Sequence, residues 1–170
     1  GNNLNNVNLK IKKDTIIGII GESGSGKSTF IDLITGLIEP SKGSVIVDDK
    51  KDIINEEAWK KNFGIVTQKI YLFEASIKDN VTLFQNENFI DLKKLYDCLN
   101  KVNLIKYSNK KGLNELVKED GINLSGGERQ GVVIARAMYF KSKVLILDEP
   151  TNHLSVKETN KVLRFVEGLK

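Results

Sequence analysis

The chain alternates short apolar runs with stretches whose apolar residues recur every three or four positions. Thr15–Ile20, TIIGII, is β-branched apart from Gly18 and has no polar break after Thr15. That pattern predicts a strand buried on both faces. Beyond a glycine-rich stretch, Phe30, Ile31, Leu33, Ile34 and Leu37 fall on one helical stripe, which predicts a helix ended by EPSKG. GSVIVDD predicts a short strand running into the polar turn DDKKD, and FGIVTQ (Phe63–Gln68) a second apolar strand that stops at an amide. Between Ile77 and Lys118 the period changes. Leu92, Leu95, Leu99 and Val102 mark an amphipathic helix whose leucines face a core, so 77–118 reads as a helical insertion. LSGGERQGVVIARAM is glycine-rich and then helical, and KVLILDEP carries four apolar residues into two carboxylates. Val162, Phe165, Val166 and Leu169 mark a closing helix. Strands alternating with helices predict a mainly parallel α/β sheet.

Composition narrows the class without naming a chemistry. With 170 residues, 40% of them apolar and 28% charged, the chain suits one globular domain with a real core. A formal charge of +4 is spread along the chain, which argues against a nucleic-acid footprint. Cys98 is the only cysteine, so an internal disulfide is impossible and a buried apolar role is expected. The apolar runs are too short to span a bilayer, and any membrane role is expected to come through a partner.

GESGSGKST (Gly21–Thr29) sits where the predicted strand meets the predicted helix. Gly21, Gly26, Lys27 and Ser28 satisfy G-x-x-x-x-G-K-[ST] in full. Glycines at Gly21, Gly24 and Gly26 let the backbone wrap closely, so that Gly21, Glu22, Ser23, Gly24, Ser25 and Gly26 form an anion cradle of N–H groups. The helix opening near Lys27 points its positive dipole end at the same place. Lys27 adds a full charge against β- and γ-phosphates, the Ser28 hydroxyl is a candidate ligand for Mg²⁺, and Thr29 closes the motif. The partner is VLILDE. A buried strand delivers Asp148 to the carboxyl edge of the sheet, where it suits direct or water-mediated Mg²⁺ binding. Glu149, one residue on, is the candidate general base for a water beyond the γ-phosphate.

LSGGERQ (Leu124–Gln130) resembles the signature motif of ATP-binding cassette (ABC) ATPases, and the resemblance covers essentially the whole chain with the motifs in the family's order. It implies an α/β fold of the P-loop NTPase type. The expected parts are a mainly parallel sheet core, a small antiparallel β region and an α-helical insertion subdomain at 77–118. Residues 1–170 would form a single, incomplete nucleotide-binding domain. It implies ATP and Mg²⁺ as cofactors, and places Gln68 as the Q-loop glutamine, catalytic and in touch with the metal. It assigns Ser125, Gly126 and Gly127 to the γ-phosphate held by a second nucleotide-binding domain, in a head-to-tail dimer with two ATPs sandwiched between chains. Ser125 would also serve as a helix N-cap.

YLFEASIKDNV (Tyr71–Val81) resembles the segment after the Q-loop in exporter-type transporters, and VKEDG (Val117–Gly121) partly resembles their X-loop, with Glu119 facing the partner and Lys118 in place of glycine. The expected partner is the transmembrane domain of an ABC transporter, and the expected place is the cytoplasmic face of the cell membrane. DEPTNHLS resembles instead the soluble paired-cassette ABC proteins that act on ribosomes. A cassette that binds nucleotide without hydrolysing it is a third class. Three departures stand out: Ser155 where the family's D-loop has aspartate, Gly131 where arginine or lysine is common, and His153 too early to be the switch histidine. The switch histidine and the adenine-stacking aromatic are not in the sequence, which suggests a cassette cut at both ends.

Overall fold

The structure is a computed structural model and describes residues 4–51, 57–140, 142–151 and 156–168. It divides between Asn62 and Phe63 into two compact units. In the first, helix α1 (Lys27–Thr35) starts after Gly26, whose φ of 93° is left-handed, and stops at Gly36, φ 75°. The stop is a Schellman arrangement: Gly36 N–H donates to Leu33 O at 3.2 Å and Leu37 N–H to Asp32 O at 2.9 Å. The indole of Trp59, in the short helix α2 (Glu57–Lys60), donates to Ile34 O at 3.0 Å and so satisfies one of the carbonyls that a helix end leaves open. Strands β1 (Ile46–Val47) and β2 (Lys50–Lys51) form an antiparallel hairpin. Its two-residue turn, Asp48 and Asp49, has φ of 48° and 63°, the signature of the tight turn that matches strand twist.

The expected strand at Thr15–Ile20 is not formed. No ladder includes these residues, and Ile16, Ile17 and Ile19 are about half exposed while Ile20 is 97% exposed. A β-branched run is only a strand when a neighbour accepts its hydrogen bonds. Among the described residues of this unit, the one ladder pairs β1 with β2 and does not include Thr15–Ile20. The helical stripe of α1 is likewise only half-buried, and Leu37 is exposed.

The second unit holds the core. β3 (Phe63–Val66) pairs in parallel with β4 (Val144–Leu147), Val66 opposite Leu147. Between them run helices α3 (Ile77–Thr82), α4 (Leu92–Lys101), α5 (Lys110–Leu113) and α6 (Gly126–Tyr139), and α7 (Val156–Glu167) follows β4. Each of the first four has an N-cap side chain: Ser76, Asp91, Asn109 and Ser125. The central helix α6 buries Val132, Val133, Ile134, Ala135 and Ala137 against Ile77 and Val81 of α3 and Leu95, Cys98 and Leu99 of α4.

Segment 77–118 holds the short helices α3, α4 and α5, which share one core with α6. Leu95 and Leu99 are fully buried and Val102 packs against them, whereas Leu92 is 49% exposed because it sits in the first turn, at the helix's outer end. Gly131 has a packing reason: a Cβ there would come within 3.1 Å of Leu104. Val162 of the closing helix is buried. Leu169 lies outside the described residues, as do His153 and Ser155.

Candidate functional site

The glycine-rich loop Gly21–Gly26 is built almost entirely from its own backbone. Ser25 N–H donates to Glu22 O at 3.2 Å, closing a turn, and Gly24 and Gly26 both take positive φ, 79° and 93°. Only glycine adopts these angles without strain. Lys27 Nζ folds back and donates to Gly21 O and Glu22 O, both at 2.7 Å. The ammonium is thereby held over the loop. The first intrahelical bond of α1 is Phe30 N–H to Gly26 O, so the N–H groups of Lys27, Ser28 and Thr29 make none within the helix. Residues 21–25 are exposed, and the loop offers open backbone donors, one cation and the Ser28 hydroxyl. This donor set fits a polyphosphate.

In the other unit, the parallel register carries two predicted residues to one place. The ladder runs one step past β4, with Asp148 N–H donating to Val66 O at 2.9 Å. Gln68 and Glu149 each lie two residues beyond a paired strand end, Val66 and Leu147. The Gln68 amide, Nε2, donates to Glu149 Oε2 at 2.6 Å, across 81 residues of chain. Glu149 takes φ 47°, an uncommon left-handed turn for a non-glycine residue. Gln68, Asp148 and Glu149 are all exposed at this carboxyl edge. Among the described residues no three histidine, cysteine or acidic side chains are placed to hold a metal ion together. Within the second unit, Gln68 and Asp148 supply an amide oxygen and one carboxylate. That hard-oxygen set suits Mg²⁺, which keeps waters and takes phosphate oxygens for its remaining positions.

Ser125, Gly126 and Gly127 open α6 through a full capping box. Ser125 Oγ accepts from Glu128 N–H at 3.2 Å, and Ser125 N–H donates to Glu128 Oε2 at 2.8 Å. The N-cap role expected for Ser125 is observed. Burial pushes the Glu128 carboxyl up, but Lys106 and the Ser125 donors outweigh it and hold it below the ordinary carboxylate value. Glu119 sits in a single 3₁₀ turn, Glu119–Gly121, and with Asp120, Ile122 and Arg129 lines a shallow surface depression. Asn123 fixes that loop, accepting from Lys118 N–H and donating to Leu116 O, both at 2.9 Å.

Two residues were not singled out by the sequence reading. Asn80 is fully buried and pins the segment after Gln68: its Oδ1 accepts from Phe73 N–H at 2.8 Å, and its Nδ2 donates to Phe73 O at 3.0 Å and Ser76 O at 3.1 Å. Arg136 of α6 donates from Nε to Asn80 O at 2.8 Å and from its terminal nitrogens to Tyr71 O at 3.3 Å. Burial lowers the affinity of its guanidinium for the proton. The available signals were the asparagine inside YLFEASIKDNV and the arginine inside IARAM.

A family model described as ABC transporter matches residues 4–152. The chain is 36% identical to the alpha-hemolysin translocation ATP-binding protein HlyB of Escherichia coli O157:H7 over 95% of this chain and 23% of that protein. It is 36% identical to the xylose/arabinose import ATP-binding protein XylG of Sulfolobus acidocaldarius over 98% of this chain and 67% of that one. The structure of a bacterial Atm1-family ABC exporter with ATP bound matches with a TM-score of 0.70 and 25% identity, over 86% of this chain and 26% of that one. The chain spans about a quarter of the length of the exporter-type proteins it matches.

Proposed function

The chain belongs to the ABC transporter family, and on that premise we propose that it is the ATP-binding and ATP-hydrolysing domain of an exporter. Residues 1–170 form one nucleotide-binding domain, with a mainly parallel sheet core and 77–118 as its helical insertion. Gly21–Thr29 binds the phosphates of ATP. Ser28, Gln68 and Asp148 would hold Mg²⁺, which neutralises phosphate charge when bound. Glu149 orients and deprotonates the attacking water. Ser125, Gly126 and Gly127 face the ATP of a second domain in a head-to-tail dimer. A transmembrane domain is the working partner, which places the chain at the cytoplasmic face of the membrane.

The observation that carries the hydrolytic part is the Gln68–Glu149 contact of 2.6 Å at the carboxyl edge of paired strands. A base needs a group that holds it and senses its surroundings, and this amide touches the carboxylate directly. The exporter part rests on YLFEASIKDNV, whose Asn80 is a structural peg, and on the printed names of HlyB and the Atm1-family neighbour. An importer reading has XylG in its favour. The ribosomal alternative rests on DEPTNHLS alone, of which residues 152–155 lie outside the described residues.

The test is Glu149→Gln in the full-length polypeptide that carries this domain. Glutamine keeps the shape and removes the base, so turnover should fall ~10²–10⁴-fold while ATP still binds. Hydrolysis at the wild-type rate would remove Glu149 from the proposed role.

A further inference from the structure

The carboxylate of Glu128 has two holders. Its Oε2 accepts from Ser125 N–H at 2.8 Å within the capping box, and its Oε1 lies 2.5 Å from the Nζ of Lys106. Lys106 comes from a different element, the 3₁₀ turn Ile105–Tyr107 inside segment 77–118. Its ammonium also lies 4.6 Å from the ring centroid of the fully buried Tyr107, which steadies the stem. A full negative charge thus stands in the first turn of α6, next to Ser125, Gly126 and Gly127, with one cation set against it.

That placement is costly for a phosphate. The open end of a helix favours an anion, but a bare carboxylate at its third position repels the same anion. We propose that Lys106 is a positioning residue for the opening of α6: it neutralises Glu128 and pins it in the capping box, so that Ser125–Gly127 can accept a nucleotide phosphate presented by a second copy of this domain. The inference rests on the reading of the chain as one half of an ATP-sandwich dimer. It adds that the helical insertion, through Lys106, sets the charge of the surface that meets the other domain's ATP.

A merely structural role predicts very little, because a surface ion pair contributes little to stability. The two roles therefore separate in kinetics. In the full-length polypeptide, Lys106→Ala should raise KM for ATP roughly tenfold with kcat at saturation nearly unchanged, because a repulsion beside Ser125–Gly127 acts on the arrival of the phosphate. Lys106→Glu should raise it further, and Lys106→Arg should stay close to wild type. The deciding arm is Glu128→Gln, which keeps an acceptor for Ser125 N–H and removes the charge. Added to Lys106→Ala, it should return KM towards wild type, and raised salt should shrink the Lys106→Ala effect. Thermal unfolding midpoints confirm that each variant is folded. An unchanged KM in Lys106→Ala, or no suppression by Glu128→Gln, overturns the proposal while leaving the cassette reading in place. Absence of any ATP binding by the wild type overturns both.

Discussion

The phosphate loop and the Gln68–Glu149 edge solve the problem of positioning in opposite ways. The loop is held by hydrogen bonds that span three to six residues: Ser25 to Glu22, and Lys27 to Glu22 and Gly21. The edge is held by contacts 56 to 81 residues apart: Gln68 with Glu149, and Arg136 with Asn80 and Tyr71. The loop needs glycines and a helix start, and it is exposed. The edge needs a parallel register, a buried asparagine and the packed helix α6 behind it. Damage to the core should therefore reach the second site and spare the first.

The strongest test of that contrast is Asn80→Ala. Asn80 is fully buried, and its side chain serves Phe73 N–H, Phe73 O, Ala75 O and Ser76 O. Alanine leaves Phe73 N–H without its acceptor, whereas Phe73 O keeps the Ala75 N–H and Ser76 O keeps the N–H of residue 80, so the cost is about 1–3 kcal/mol. Hydrogen exchange on the full chain should show faster opening around Tyr71–Phe73, α3 and the strand end at Gln68, with α1 unaffected. A loss under about 0.5 kcal/mol, on the scale of an ordinary surface substitution, or equal loosening of α1, would erase the distinction.

The same contrast decides what could be read from the chain. The loop, α1 and the carboxylates after VLIL were legible because their determinants are adjacent residues: glycines, a lysine, a strand end. Cys98 was legible as a buried apolar side chain because it lies on the face of Leu95 and Leu99, and burial indeed pushes its thiol up. The strand at Thr15–Ile20 misled because β-branching states a preference, and only a partner strand supplies the hydrogen bonds. Leu92 misled because a three-to-four period fixes a stripe but not where the helix leaves the core. Gln68 and Glu149 were each named, yet their contact depends on the β3–β4 register, which no local pattern encodes. Asn80 and Arg136 are polar residues with loop and helix neighbours far along the chain, and a single sequence marks such residues as surface.

A smaller and strictly local break is Gly26→Ala. At φ 93° a side chain costs about 1–2 kcal/mol. The new Cβ would also meet Leu4 Cδ2 at 2.9 Å, a flexible neighbour that can yield. ATP affinity, measured by calorimetry, should drop roughly five- to thirtyfold, which is what 1–2 kcal/mol amounts to. Exchange protection in α4 and α6 should not change. Unaltered affinity would show that the loop tolerates a different backbone.

The smallest effect lies where the two modes of construction meet. The capping box of α6 is local, but the Lys106–Glu128 pair ties it to another element 22 residues away (128 − 106). The Glu128 carboxyl lies below its ordinary value of 4.5: burial raises it, and the ammonium and the Ser125 donors lower it more. A depressed carboxyl stabilises the fold above the unfolded value, and that contribution is lost as pH falls through the folded one. The acid limb therefore begins near pH 4.5 and continues below it. Lys106 is shifted the other way, raised chiefly by its bond to Glu128. Its contribution is present below the ordinary lysine value of 10.5 and fades as pH rises beyond it. Both side chains are partly exposed, so solvent screens the pair to a few tenths of a kcal/mol, up to about 1. Lys106→Ala should flatten both limbs slightly, while Glu128→Gln should abolish the acid limb assigned to this site. Urea midpoints of the full chain at about pH 3.5, 4.5, 7 and 11 would measure both limbs (about one unit below the ordinary carboxyl value, at that value, at neutrality, and just above the ordinary lysine value). Identical acid slopes in wild type and both variants would mean that the pair is not held in solution, and that α6 is capped by its own residues alone.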